Sequence, residues 1–187
     1  MLPFFKRDKD DKPELAGQES TVSSEDLLNE STASDDESIQ TELSIHPDWK
    51  LPKEDVYAFQ FLNLECAPLK PNQLSLSGIS LHKESDTLFR VTAFVRNSLD
   101  KAISLEDVTL VLLDENGKLL GRKTFDLRDL GTIPPRSSRP WYFMFRDKDL
   151  FTTDLPETGW QLAFQLKQEK KKHSLDLADS WKKSLSK

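Results

Sequence analysis

Between Gly131 and Phe145 the chain reads Gly-Thr-Ile-Pro-Pro-Arg-Ser-Ser-Arg-Pro-Trp-Tyr-Phe-Met-Phe, so a tandem proline and an Arg-Pro step feed directly into an aromatic run. Proline fixes φ and removes a backbone donor, which confines Pro134, Pro135 and Pro140 to turns and strand starts. Trp141, Phe143 and Phe145 then recur at the two-residue period of extended chain and predict one aromatic face. The segment specifies scaffold and carries no catalytic pattern.

The same period continues elsewhere. In Leu88 to Asn97, Phe89, Val91, Ala93 and Val95 point one way, and Arg90, Thr92 and Arg96 the other, which predicts one core face and one wet face, with Phe94 interrupting the wet one. Asn116-Gly117 supplies hairpin-turn chemistry between the runs beginning at Ile103 and Lys118, so these pair antiparallel. Gln73 to Leu81 alternates around Gly78, a site for a bulge or a close backbone approach. Trp160, Leu162, Phe164 and Leu166 close the set, facing the core. Tyr57, Phe59 and Phe61 suggest a further strand over Val56 to Leu64, although Ala58 and Leu62 leave a short helix open. Short strands at regular spacing predict an all-β chain with a single immunoglobulin-like antiparallel β-sandwich.

The flanks differ in composition. Eleven carboxylates face the single cation Lys12 between Asp10 and Glu42, with too little apolar surface to offset chain entropy, so residues 1–44 are expected to form a disordered acidic arm. His46-Pro-Asp-Trp-Lys-Leu-Pro ends it, giving a sandwich over 45–168 and a basic tail over 169–187. In that tail Leu177, Trp181 and Leu185 recur at i, i+4, i+8, which predicts a short C-terminal helix that needs a surface to lie on: its own sandwich, a partner or, third in order, anionic lipid.

Several function classes fall away. A net charge of −6 disfavours nucleic acid. No apolar run reaches the roughly 18 residues of a membrane span or the length of a signal peptide, so a cytoplasmic protein is expected. Cys66 stands alone, His46, His82 and His173 are scattered, and neither a Gly-rich phosphate loop nor a nucleophile elbow is present, so no enzyme, metal or cofactor is expected. Arg136 and Arg139 beside the Pro-Pro step offer a forked docking point for carboxylates, and Trp181 a third candidate partner contact. A rival reading uses Trp141 or Trp160 as a stacking surface for a small ligand or glycan at the cell envelope.

Taken in order, His46-Pro-x-Trp-x-Leu-Pro, Tyr57-x-Phe-Gln-Phe-Leu-Asn, Leu69-Lys-Pro-Asn-Gln-Leu-Ser-Leu-Ser-Gly-Ile, Val95-Arg-Asn, Gly131-x-Ile-Pro-Pro and Ser138-Arg-Pro-Trp-x-Phe-x-Phe resemble the SLAP domain of accessory Sec system S-layer assembly proteins. The resemblance covers about Ile45 to Gln168. It implies a factor without catalytic residues that assists export or assembly of surface proteins, with an accessory SecA ATPase or an exported precursor as partner. Members of that family tend to carry the domain in duplicate, whereas this chain has length for one copy. Its motif positions here, Trp49, Pro71, Asn72, Gly78, Asn97, Pro134, Pro135, Arg139, Pro140 and Trp141, all have structural explanations.

Overall fold

The computed structural model of the chain describes residues 13–24 and 37–166. In chain order it contains β1 (Glu19–Ser23), β2 (Glu42–Leu43), α1 (Lys53–Glu65), β3 (Gln73–Ser85), β4 (Leu88–Asn97), β5 (Ile103–Ser104), β6 (Asp107–Leu113), β7 (Leu119–Asp126), β8 (Thr132–Ile133), β9 (Ser137–Arg146) and β10 (Gln161–Phe164). Three sheets result, ordered β1-β3-β4-β9-β2, β10-β6-β7 and β5-β8. Strand β4 is the spine of the first, paired antiparallel with β3 on one side and with β9 on the other, from Leu88↔Arg146 to Asn97↔Ser137.

The five- and three-stranded sheets pack face to face. Leu74, Leu76, Phe89, Val91, Val95, Phe143 and Phe145 from the first meet Leu110, Leu112, Leu120, Leu162 and Phe164 from the second, all buried. Phe125 of β7 sets its ring edge-on to Phe143 and Phe145, at 5.3 Å from each. Burying a side chain of this size is worth about 1.5–3 kcal/mol, so this interface is the main apolar contribution to the fold. Trp160 sits at its end with no exposure, against the Gly17 and Gly78 backbones. A β-carbon on Gly78 would lie 2.5 Å from the indole and 2.7 Å from the Gly17 Cα, so the close approach needs glycine. The β3–β4 register shifts between Gly78 and Ser80, as its sequence suggested.

The hairpin also forms as expected. Gly117 takes φ +80°, its N–H donates to the Asp114 carbonyl, and the Asp114 side chain accepts from the Asn116 and Lys118 N–H groups. Its first strand starts at Asp107, because Ile103–Ser104 turns away to pair with Thr132–Ile133.

Four expectations are corrected. Val56 to Leu64 is helical. Pro52 caps the start of α1, and Glu54 and Asp55 follow in the first turn, where acidic residues suit the helix dipole. The second face of β4 is dry: Arg90, Thr92, Phe94 and Arg96 are all buried, since α1 and the preceding chain roof that face. Phe94 meets Phe59 of α1 edge-on at 6.1 Å and anchors a second core with Leu62, Cys66 and Ile79. Part of the acidic arm is ordered, because strand pairing draws on backbone groups that composition does not report. Glu19–Ser23 pairs with Ser77 through Gln73, and Ile39 bridges Leu69. Finally, the sheet is not purely antiparallel: β2 runs parallel to β9, with Glu42 opposite Ser137. The expected C-terminal helix lies outside the described residues.

Candidate protein-interaction surface

Helix α1 carries apolar residues on two opposite faces. Residues three and four apart share a helix face, so Asp55, Phe59, Leu62 and Asn63 turn inward and are buried. Tyr57, Phe61 and Leu64 repeat the same spacing on the opposite side and remain 68%, 40% and 70% exposed. Surface helices normally turn charged groups outward, so three large apolar side chains at i, i+4, i+7 stand out as an exposed apolar ridge.

Hydrogen bonds tie the helix that carries the ridge to the chain before it. Asn63 donates through Nδ2 to the Thr41 carbonyl at 2.8 Å, and its own carbonyl accepts from Gln40. The Cys66 thiol, just after the helix, donates to the Leu62 carbonyl. Desolvation pushes that thiol's pKa up, with the nearby Arg96 charge pulling the other way, so Cys66 is a protonated core filler. Open clefts flank the ridge. One is lined by Pro13, Glu14, Leu15, Phe61 and Glu65, the other by Thr41, Glu42, Leu43, Gln60, Asn63 and Leu64. Exposed Glu14 and Glu65 line the first and Glu42 the second, Glu54 is exposed in the first turn of the helix, and Lys53 is the lone cation on it.

Under the helix lies an ionic clamp. Arg96 is fully buried in β4 and donates from Nη1 to Glu19 of β1 at 2.7 Å and from Nε to Thr41 at 3.2 Å. A charge out of water is tolerable only when paired and hydrogen-bonded, so the arm supplies what β4 requires.

The residues nominated from sequence separate. Arg139 is only 4% exposed, and it donates to the Ser44, Leu130 and Thr132 carbonyls and to the Ser44 hydroxyl. Burial draws its pKa below the ordinary arginine value. It ties β9 to the chain before α1 and has little left to offer a partner. Arg136 is exposed at φ +50°, and Nη1 reaches Glu37 at 3.4 Å. The two guanidinium groups therefore do not form a fork. Trp181 lies outside the described residues. Trp160 is buried, and Trp141 is stacked by Trp49 at 5.3 Å and 12°, so the indoles nominated for ligand stacking are engaged by their own chain. Among the described residues no group of three His, Cys, Asp or Glu side chains converges as a metal site. The ridge was missed because Tyr57 and Phe61 were assigned with Phe59 to one strand face. Pro52-Lys-Glu-Asp was the helix-start signal that separates them.

Several motif residues act as internal ties. Asn97 donates to the Lys101, Ile133 and Pro134 carbonyls and accepts from the Leu99 N–H, fixing the β4 exit against the Pro-Pro turn. Asn72 takes the left-handed φ of 61° that asparagine tolerates.

The architecture defines a mostly β module, two packed sheets with a helix roofing the larger one. The SLAP domain family model matches residues 43–166, and the chain belongs to that family. No curated protein and no solved structure matches it.

Proposed function

We propose that the chain is a non-catalytic protein-interaction module that assists export or assembly of surface proteins alongside an accessory Sec system, working in the cytoplasm through the α1 ridge. The observation that carries this reading is the exposure of Tyr57, Phe61 and Leu64 on the side of α1 opposite its core face. Apolar anchors at i, i+4, i+7 suit a partner that offers a complementary helix or groove. Family membership supports the export setting, with the motor ATPase or an exported precursor as the partner.

Other surfaces are less suited to docking. The start of β9 is covered by β2, and the outer side of β7 meets Leu150 and Phe151. The Pro-Pro-Arg loop spends its Arg136 backbone on Glu42 and Leu99.

The test is a photo-crosslinking residue at position 61 in a Gram-positive host, compared with one at Arg122, exposed on the three-stranded sheet. Adducts with the secretion ATPase or with exported precursors, formed at 61 and absent at 122, are the expected result. Recovery of neither at position 61 overturns the proposal.

A further inference from the structure

We infer that the α1 ridge takes an apolar helix carrying lysine or arginine at one end, the composition of an exported precursor's leader, and that the basic end seats over Glu65 and Glu14. This rests on the ridge being the docking surface proposed above, and it chooses the precursor over the motor ATPase.

The two ends of α1 differ in charge. In the first turn Glu54 and Asp55 offset the positive pole of the helix, with Lys53 beside them. The last turn holds no basic residue, the helix ends on exposed Glu65, and Glu14 lines the same cleft as Glu65. Helices ordinarily place cations at this end, so here the negative pole and two carboxylates add together. A cation brought by a partner gains most there.

The ridge calls for a helix. Tyr57, Phe61 and Leu64 lie along about 10 Å of axis, at 1.5 Å per residue. Leu15 and Phe61 line the cleft on one side, Leu43 and Leu64 the cleft on the other, and neither cleft is lined by a lysine, arginine or histidine. An extended segment draws its affinity from backbone groups at a sheet edge, whereas the peptide groups of α1 bond one another. Contact is therefore made by side chains, which suits a partner whose own backbone is satisfied.

The carboxylates also select among partners. Glu14, Glu42 and Glu65 repel anionic headgroups and nucleic acid, and a second copy brings the same acidic surroundings with a single helix lysine to offset them. Leaders of exported proteins join a positively charged start to an apolar run of roughly 7–15 residues. As a helix that run is about 10–22 Å long, enough to cover the ridge while its charged start meets Glu65 and Glu14.

The test uses the intact chain and two fluorescein-labelled synthetic peptides read by anisotropy: a lysine cluster ahead of a leucine-alanine helix, and a twin with glutamates in place of the lysines. The lysine peptide is expected to bind at least about tenfold more tightly than its twin. Glu14→Lys with Glu65→Lys, both exposed positions, reverses that preference, and Glu54→Gln leaves it nearly unchanged. Phe61→Gln with Leu64→Gln removes binding while circular dichroism stays the same. Equal binding of the twins overturns the inference, as does a preference that survives exchange of Glu14 and Glu65 or is lost in Glu54→Gln alone. So does a ridge-dependent dimer in sedimentation, ridge-dependent capture by phosphatidylglycerol vesicles, or peptide binding that appears only once the chain beyond Leu166 is removed, each of which names another occupant. Crosslinks from position 61 separate the two readings: adducts with the ATPase and none with precursor leaders leave the proposed function standing and remove this inference alone, whereas adducts with neither remove both.

Discussion

The two faces of the five-stranded sheet are built on different principles. Toward the three-stranded sheet the contact is hydrocarbon and aromatic, drawn from strands whose alternation declares it. Toward α1 the smaller apolar cluster around Phe59 and Phe94 shares its space with buried Arg96, Thr41, Ser77 and Asn63. The first face is stabilised by burial that needs no particular partner atom. The second relies on particular polar pairings, such as Arg96 with Glu19 and Asn63 with Thr41, and several of these counterparts arrive from the N-terminal arm. A sheet can therefore have one face that tolerates repacking and another that depends on a few named pairings.

The sharpest way to break the comparison is to attack the apolar face. Trp160→Ala is expected to cost about 3–5 kcal/mol, measured as a fall in urea midpoint, because it leaves a cavity between Gly17 and Gly78. An equal loss from removing a polar pairing on the other face would erase the distinction. There, Glu19→Ala is expected to cost about 1–3 kcal/mol by leaving Arg96 without its carboxylate. The pair Glu19→Leu with Arg96→Met should recover most of it, since a well-packed apolar replacement can match a buried ion pair. Gly78→Ala should cost on the order of 1–3 kcal/mol through overpacking against Trp160, read from the same denaturation curves. Phe61→Glu is expected to change stability by less than about 0.5 kcal/mol, since it alters an exposed side chain, while abolishing partner crosslinking. Smallest of all, Cys66 should react slowly with a thiol reagent in the native chain and fully after denaturation, as a buried, protonated thiol does.

Legibility followed the same division. The strands from Leu88, Trp141 and Trp160 and the Asp114–Gly117 turn were readable because their side chains alternate against one sheet or demand a particular φ. The roofed face was not, because nothing local in Arg90-Val-Thr-Ala-Phe-Val-Arg distinguishes a polar group facing water from one facing a helix. Only Phe94 gave a hint, and α1 itself hid behind a strand-like Tyr-x-Phe-x-Phe. The arm misled for a related reason. Its acidic composition argues for solvation, yet Glu19 is held by a guanidinium 77 residues further along the chain. The candidate surface escaped because it became visible only once Phe59 was assigned inward and its neighbours outward.

One consequence follows from how residues 16–18 thread the molecule. The Gly17 N–H donates to the Gly78 carbonyl in one sheet while the Gln18 N–H donates to the Trp160 carbonyl in the other, so a three-residue stretch stitches both halves at a single seam. Recombinant material trimmed to the family-matched stretch, 43–166, would lack that stitch and would bare the flank of β3 as an adhesive margin. The stretch shared across the family and the stretch that keeps itself from sticking to its neighbours need not share a first residue.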